Sequence, residues 1–407
     1  MGLYRKLSLL SVAFLIFGLT STARAEVIFS ESFDDQPDWN SGLPENSYSS
    51  NTMGGTSKGG WDVDIEQYAD THVIPKGWDF VRQTPAYAPS VGHPDKHENI
   101  EISAASTAEN PNRARGGTGK SFVTWRDSTE KQWDSDGLLG KYYSEGFDQL
   151  YVEFWINFSN EMIATYYNPD FMTSTTGIAK VFRIYHWNGA GQTFDYFDRD
   201  NPKNPNFLWQ FEGRPASQSG YGFRNMLNPL PRRLTKYGQD PTESRFLNSS
   251  GNPSDNITTS YGQKERAPYG GVALADRRDG GLVDGLAAVD LDQVYGDETK
   301  WTKVAFFVKM NSAPGVYDGQ LIQWLDDNKV IEINTMQWVS AAYDMVKWNV
   351  VALGGNDNFF KYPNAIKREE WYAIDDVKVS TEIPNALLVD SLKKTTPPNP
   401  PIGITIK

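Results

Sequence analysis

Apolar and polar residues alternate at every second position over a series of short stretches along the chain. Nine of them predict strands: Val27 to Phe33, Ser121 to Trp125, Leu150 to Phe158, Lys180 to Trp187, Phe207 to Phe211, Lys303 to Met310, Leu321 to Leu325, Asn349 to Leu353 and Trp371 to Val379. Each is rich in aromatic and β-branched residues and is bounded by Gly, Pro, Asn or Asp, and no long stretch repeats at the helical period. This predicts an all-β chain folded as an antiparallel β-sandwich or jelly roll, with its first and last strands paired or close together.

The alternation fails in three places. Residues 1–25 read as a secretory signal peptide: Arg5 and Lys6, an apolar run from Leu7 to Leu19, then Ala23-Arg24-Ala25 before a cut at Glu26. That run is too short for a comfortable membrane span. Between about 213 and 300 the chain turns polar, with many Gly, Pro and Arg, which predicts a long irregular insertion near a functional site. Residues 386–407 form a Pro-rich tail with Pro397, Pro398, Pro400 and Pro401. The expected organisation is therefore one jelly-roll domain over 26–385.

Charge and composition narrow the partners. The chain after residue 25 carries 36 Lys and Arg against 51 Asp and Glu, a net charge of −15, which argues against nucleic acid or an anionic membrane as partner. The absence of cysteine excludes disulfides and thiol catalysis. Aromatic residues make up 13% of the chain, including 13 Trp; these suit either a β-core or sugar-stacking surfaces.

Several motifs together resemble the concanavalin A-like lectin and glucanase superfamily of jelly rolls, most of all its bacterial polysaccharide-lyase-like members. They are "FSESFDDQPDW", "IPKGWD", "ARGGTGKSFVTWRD", "LYVEFWINFS", "AKVFRIYHW", "WTKVAFFVKMNSAPGVYDGQLIQWLDD" and "WYAIDDVKVS". The resemblance covers most of residues 26–380 and, together with the expected signal peptide, implies a secreted or periplasmic protein that handles polysaccharide. It also implies a structural Ca²⁺ where the first and last strands meet, held by Glu31, Asp34, Asp35, Asp375 and Asp376, since Ca²⁺ takes several hard oxygen ligands. Solvated turn and edge-strand acids are the other reading of those five residues.

The strand "KVFRIYHW" carries the richest candidate chemistry. Strict alternation puts Lys180, Phe182, Ile184 and His186 on one face and Val181, Arg183, Tyr185 and Trp187 on the other. β-Elimination from a uronic-acid polymer needs a neutralised carboxylate, a base for the C5 proton and an acid for the leaving oxygen. Arg183 suits the first task, in fork geometry. The resemblance makes His186 and Tyr185 the base and acid, with a twist or bulge needed to bring them into one cleft. Arg126, Glu153, Asn157, Lys180, Trp187, Trp209, Gln210 and Glu212 are the expected substrate-binding groups. A lectin-like protein would use the same surface, with Trp155, Trp187 or Trp209 stacking on sugar.

Other motifs weaken on inspection. "WDVDIE" places Asp62, Asp64 and Glu66 at alternate positions, as the Glu-x-Asp-x-Glu of laminarinase-type hydrolases does, but begins with the shorter Asp and lies very early in the chain. "ARGGTGKS", Ala114 to Ser121, fits a loose phosphate-loop pattern, yet a strand-like segment follows where a helix is required. His93 and His97 have helical spacing in a loop-like context broken by Pro94. Three functions stay open: a lyase for an acidic glycan, a non-catalytic carbohydrate-binding protein, and a glycoside hydrolase.

Overall fold

The computed structural model describes residues 26–40, 61–64, 74–83, 100–127, 135–162, 177–188, 205–214, 222–230, 257–260, 298–358 and 369–388. Two antiparallel sheets make up the compact unit Glu26–Ile383, while residues 1–25 and 384–407 form a second unit, of which only 384–388 are described. The expected signal peptide and almost all of the Pro-rich tail lie outside the described residues. No described helix is long and apolar enough to cross a membrane.

The first sheet contains β1 (Val27–Glu31), β2 (Trp39–Asn40), β5 (Ile100–Ile102), β6 (Phe122–Asp127), β8 (Gln149–Phe158), β13 (Thr302–Lys309), β14 (Gly319–Leu325), β15 (Asn328–Met336) and β17 (Glu369–Ser380). Its order is β15-β14-β13-β8-β17-β6-β5-β2, with β1 also paired to β17. The second sheet contains β3 (Trp61–Asp64), β4 (Phe80–Gln83), β7 (Ser135–Phe147), β9 (Gly177–Tyr185), β10 (Asn206–Arg214), β11 (Gly222–Leu230), β12 (Ile257–Ser260) and β16 (Trp348–Asn358). It runs β12-β11-β10-β9-β16-β7-β4-β3.

All nine expected strands are present, and the first pairs with the last: Phe29 lies opposite Val379 and Glu31 opposite Val377. Within the expected insertion at about 213–300, the described residues 213–214, 222–230 and 257–260 lie in strands and 298–300 lie outside any strand. β11 and β12 continue the second sheet outward from β10; in β11 the Gly, Pro and Asn content hides the alternation, and β12 is only four residues long. β7 was also missed. It carries Gly137, Gly140 and Gly146, and a side chain at Gly140 would overlap the Phe80 ring, so this strand is shaped by close approach rather than by alternating apolar groups.

The core lies between the inner faces. Val152, Phe154 and Ile156 on β8 and Val304, Phe306 and Val308 on β13 meet Phe182 and Ile184 on β9, Phe207 and Trp209 on β10, and Val351 and Leu353 on β16. Across the two sheets Phe182 stacks on Phe306, with ring centres 5.2 Å apart and planes 9° off parallel. Fully burying each such ring contributes about 2 to 3 kcal/mol, so this aromatic cluster fixes the spacing of the sheets and the register of β9.

The segment "ARGGTGKS" makes a turn into β6. Gly116, Gly117 and Gly119 all have positive φ, and a side chain at Gly119 would overlap the Asp34 carboxylate. No helix follows, as the sequence predicted.

Candidate functional site

The outward face of the second sheet gathers most of the expected chemistry. With Phe182 and Ile184 pointing into the core, Arg183 and Tyr185 point outward from β9. Arg183 is paired with Leu208 on one side and Ala352 on the other, and Tyr185 with Asn206 and Val350. Arg183 is 2% exposed, Tyr185 1%, Asn206 1% and Gln210 4%. Cation, phenol and two amides thus lie side by side on β9 and β10, closed to solvent.

β9 is not a regular strand. Trp209 and Gln210 are consecutive on β10, yet they pair with Phe182 and Lys180, leaving Val181 as an extra residue. Val181 and Phe182 both enter the core. Lys180 therefore shares the outward face with Arg183, where strict alternation had set it on the opposite side. In the strand register Glu212 is paired with Ile178 and Arg224.

Asn206 went unnoticed in the sequence because a single Asn at the start of a strand carries no pattern. Both atoms of its side-chain amide are buried without a hydrogen-bond partner among the described residues. A buried amide left in this state costs about 1 to 3 kcal/mol, which makes it a candidate for bonding to a bound group.

Trp187 follows β9 and joins Tyr185, Phe80, Leu138, Val350 and Ala352 in one apolar cluster. Its ring meets Tyr142 edge-on, with centres 5.1 Å apart. Asn349 fixes the backbone there: the Trp187 N–H donates to Asn349 Oδ1 at 2.8 Å, and Asn349 Nδ2 donates to the Trp187 carbonyl at 2.6 Å. This clamp holds Trp187 beyond the end of the strand ladder.

His186 is half-buried. Its Nδ1 lies 2.9 Å from the Lys347 carbonyl, which can only accept, so Nδ1 carries the proton and Nε2 keeps its lone pair. Burial lowers its pKa below the ordinary imidazole value, against the opposing pull of that hydrogen bond. No described contact brings Nε2 to the Tyr185 hydroxyl.

Four expected binding residues lie elsewhere. Trp209 faces the core, with its ring 5.3 Å from Phe306, because odd-numbered residues of β10 point inward. Arg126 is sealed beside Glu370, Nε to Oε2 3.1 Å, with exposures of 1% and 0%. Glu153 and Asn157 belong to the outward face of the first sheet, since Phe154 and Ile156 between them point inward. The thickness of the sandwich separates them from Arg183.

Both of these outward groups are engaged locally. Glu153 accepts from the Tyr151 hydroxyl at 2.8 Å and pairs with Lys303 and Lys378 at 3.2 and 3.3 Å. Burial pushes its pKa up, but these partners outweigh it and hold the carboxyl below the ordinary range. Asn157 Nδ2 donates to the carbonyls of Asn112 and Glu298. Trp155 lies under the Arg115 guanidinium, 4.1 Å from its ring centre.

The acids expected to hold Ca²⁺ do not converge as a set of five. Glu31 closes its own turn, accepting from the Phe33 N–H at 2.6 Å and from Gln36 Nε2 at 2.5 Å. Asp35 is exposed, Asp376 pairs with Arg115, and Asp34 accepts from the Lys120 N–H at 2.9 Å. Asp375 accepts from the N–H groups of Arg115 at 3.0 Å and Asp376 at 2.7 Å. Burial, with added repulsion from Asp376 and Asp34, pushes its pKa up to about 7 despite those bonds. Among the described residues no three acids or histidines are grouped to hold a metal.

The hydrolase motif stands well apart. Asp64 lies in the same crosswise row as Arg183, reached through Phe80, Gly140 and Ala352. Four strand spacings place them about 19 Å apart. Glu66, His93 and His97 lie outside the described residues.

No protein-family profile matches the chain, and no curated protein matches it. Among solved structures it is similar to a mutant of the alginate lyase Aly36B in complex with alginate tetrasaccharide, at 8% identity over 87% of this chain and 96% of that one, with a TM-score of 0.42. An endo-β-1,4-glucuronan lyase from the fungus Trichoderma reesei is similar at 12% identity over 75% and 92% of the two chains, TM-score 0.35. An alginate lyase from Chlorella virus is similar at 11% identity over 64% and 86%, TM-score 0.33. At these values the likeness is one of strand architecture and does not assign an activity.

Proposed function

We propose that the protein is a polysaccharide lyase that cleaves a uronic-acid-containing glycan by β-elimination on the outward face of the second sheet. The observation that carries this reading is the buried row of Arg183, Tyr185 and Asn206, with the Asn206 amide lacking a partner among the described residues. Arg183 and Asn206 would take the uronate carboxylate between them, dispersing the charge that develops as the C5 proton leaves. In a site poor in water these bonds are stronger than at an open surface.

Tyr185 is the proton-transfer group of this reading. Arg183 and Lys180 share its face, so the cations of this reading lie beside the proton-transfer group. The phenolate removes the C5 proton, the C4–O bond breaks as the C4=C5 double bond forms, and the same proton passes to the departing oxygen. His186 is left out of this scheme because no described contact brings its Nε2 to the Tyr185 side chain and it follows Tyr185 out of the strand; its Nδ1 bond to Lys347 keeps the Nε2 lone pair in place. Lys180, Gln210, Glu212 and Trp187 line the flanking positions. The reading of residues 1–25 as an export signal supports an action outside the cytoplasm.

A non-catalytic carbohydrate-binding role on the same face is the second reading. The closure of that face to solvent bears on both readings alike, since a glycan must reach Arg183 and Asn206 to bind as well as Tyr185 to react.

The test is incubation of the protein with alginate, glucuronan, pectate, glycosaminoglycans and neutral β-glucans, following unsaturated-uronate absorbance and reducing ends together. Both signals should rise on an acidic polymer. Tyr185→Phe should then lower the rate by about 10² to 10⁴, and Asn206→Ala by about tenfold or more, while His186→Ala leaves it largely intact. Retention on a glycan with neither signal would establish the binding role, and reducing ends alone would establish hydrolysis.

A further inference from the structure

Lys180 reaches the outward face only because β9 is bulged, and the neighbouring strand is built around that bulge. Between Leu353 and Asp357, β16 takes four steps while β9 takes three, from Phe182 to Ala179. Gly354 and Gly355 occupy that interval. Gly354 has φ of 87°, and a side chain there would overlap the Gly137 carbonyl of β7. A Cβ on Gly355 would come within 2.8 Å of both Lys180 Cβ and Lys180 O, closer than real contacts of this kind. Glycine at 355 is therefore matched to one partner, the residue whose placement the bulge decides.

We infer that Gly355 is a positioning residue that acts through Lys180. It leaves room for the bulged backbone of β9, so that the Lys180 side chain stands two register places from Arg183 and opposite Gln210 on the outward face. That separation is about 7 Å along the strand, so the two cations can engage carboxylates on different units of one glycan chain. The role of Lys180 as a second carboxylate-binding cation rests on the lyase or glycan-binding reading. The positioning of Lys180 by Gly355 does not.

Two measurements separate these parts. Peptide-resolved amine acetylation of the folded protein reads the position of Lys180 directly, with Lys141, Lys303, Lys329 and Lys378 as internal controls. In Gly355→Ala the labelling rate of Lys180 should change several-fold while the controls stay constant; an unchanged Lys180 overturns the positioning role, and a change at every lysine means general loosening and overturns it equally.

Affinity electrophoresis in alginate, at low and high salt, reads the function. Lys180→Ala should weaken retention about tenfold at low salt, Lys180→Arg should restore most of it, and Gly355→Ala should add nothing in the Lys180→Ala background. Additive losses would overturn the claim that Gly355 acts through Lys180. An unretained wild-type protein would remove the carboxylate-binding role and leave the acetylation result to decide the rest. If Gly355→Ala does not fold, Lys180→Ala and Lys180→Arg still decide whether Lys180 binds the polymer. Gly355→Ser would then supply the labelling comparison.

Discussion

Arg126 and Glu370 face each other across β6 and β17 as a register pair, with Nε 3.1 Å from Oε2, in the interior at the end of the sandwich. Phe122 on β6 and Tyr372 and Ile374 on β17 point the same way into the core, which explains why a strand-edge arginine that looked like a ligand for substrate is enclosed. Removing one partner leaves the other charge buried. Glu370→Gln or Arg126→Met should destabilise the protein by about 3 to 5 kcal/mol in urea unfolding, and Arg126→Met with Glu370→Leu should cost much less than the two single changes added together.

Asp375 gives the protein an unusual pH response. Its carboxyl is raised from an ordinary 3.8 to about 7, chiefly by burial and then by Asp376 and Asp34. Between those values the folded state holds a proton that the unfolded state has lost. The stabilisation is complete at pH below the unfolded value and is lost as pH rises through 7, by a few kcal/mol in all. Asp375→Asn should flatten this part of the stability profile, measured by denaturant midpoints from pH 4 to 8.

His186 acts in the opposite direction. Burial depresses its pKa, so the unfolded chain takes up a proton near 6.5 before the folded one does. Stability from this group is present above 6.5 and falls as the solution is acidified through the folded value. His186→Gln should remove that acid sensitivity, seen as a smaller drop in Tm between pH 7 and pH 5 than in the wild type.

Asn349 replaces a strand partner with a side chain. Asn349→Ala removes both of its bonds to the Trp187 backbone and leaves a buried N–H and carbonyl unmet. A loss of about 2 kcal/mol is expected. Trp187 fluorescence should become more accessible to quencher, and any activity should fall through weaker binding while the turnover rate holds.

Most of the fold was legible because a half-buried strand must alternate, and residues such as Phe154, Phe306 and Val351 obey that rule. The places that broke it were those where backbone mattered more than side chain. β7 and β11 were obscured by glycine, proline and asparagine, and the bulge at Val181 reversed the side of Lys180. Asn206 could not have been found from its neighbours in sequence, since its interest comes from Tyr185 lying opposite on another strand. Trp209 misled for a related reason: a tryptophan between Gln210 and Leu208 reads the same way whether its ring meets sugar or Phe306. Arg183 and Tyr185 were recoverable because both follow the bulge in the chain and alternate strictly with the core residues Phe182 and Ile184.

The order of the strands also sets a timetable. β17 lies between β8 and β6 in one sheet, and β16 lies between β9 and β7 in the other, so each sheet receives a middle strand only from residues 348–380. Until the ribosome has made that stretch, the earlier strands have neighbours but no centre, and β1 has no partner at all. A chain stopped before Trp348 should stay unfolded and protease-sensitive rather than form half a sandwich.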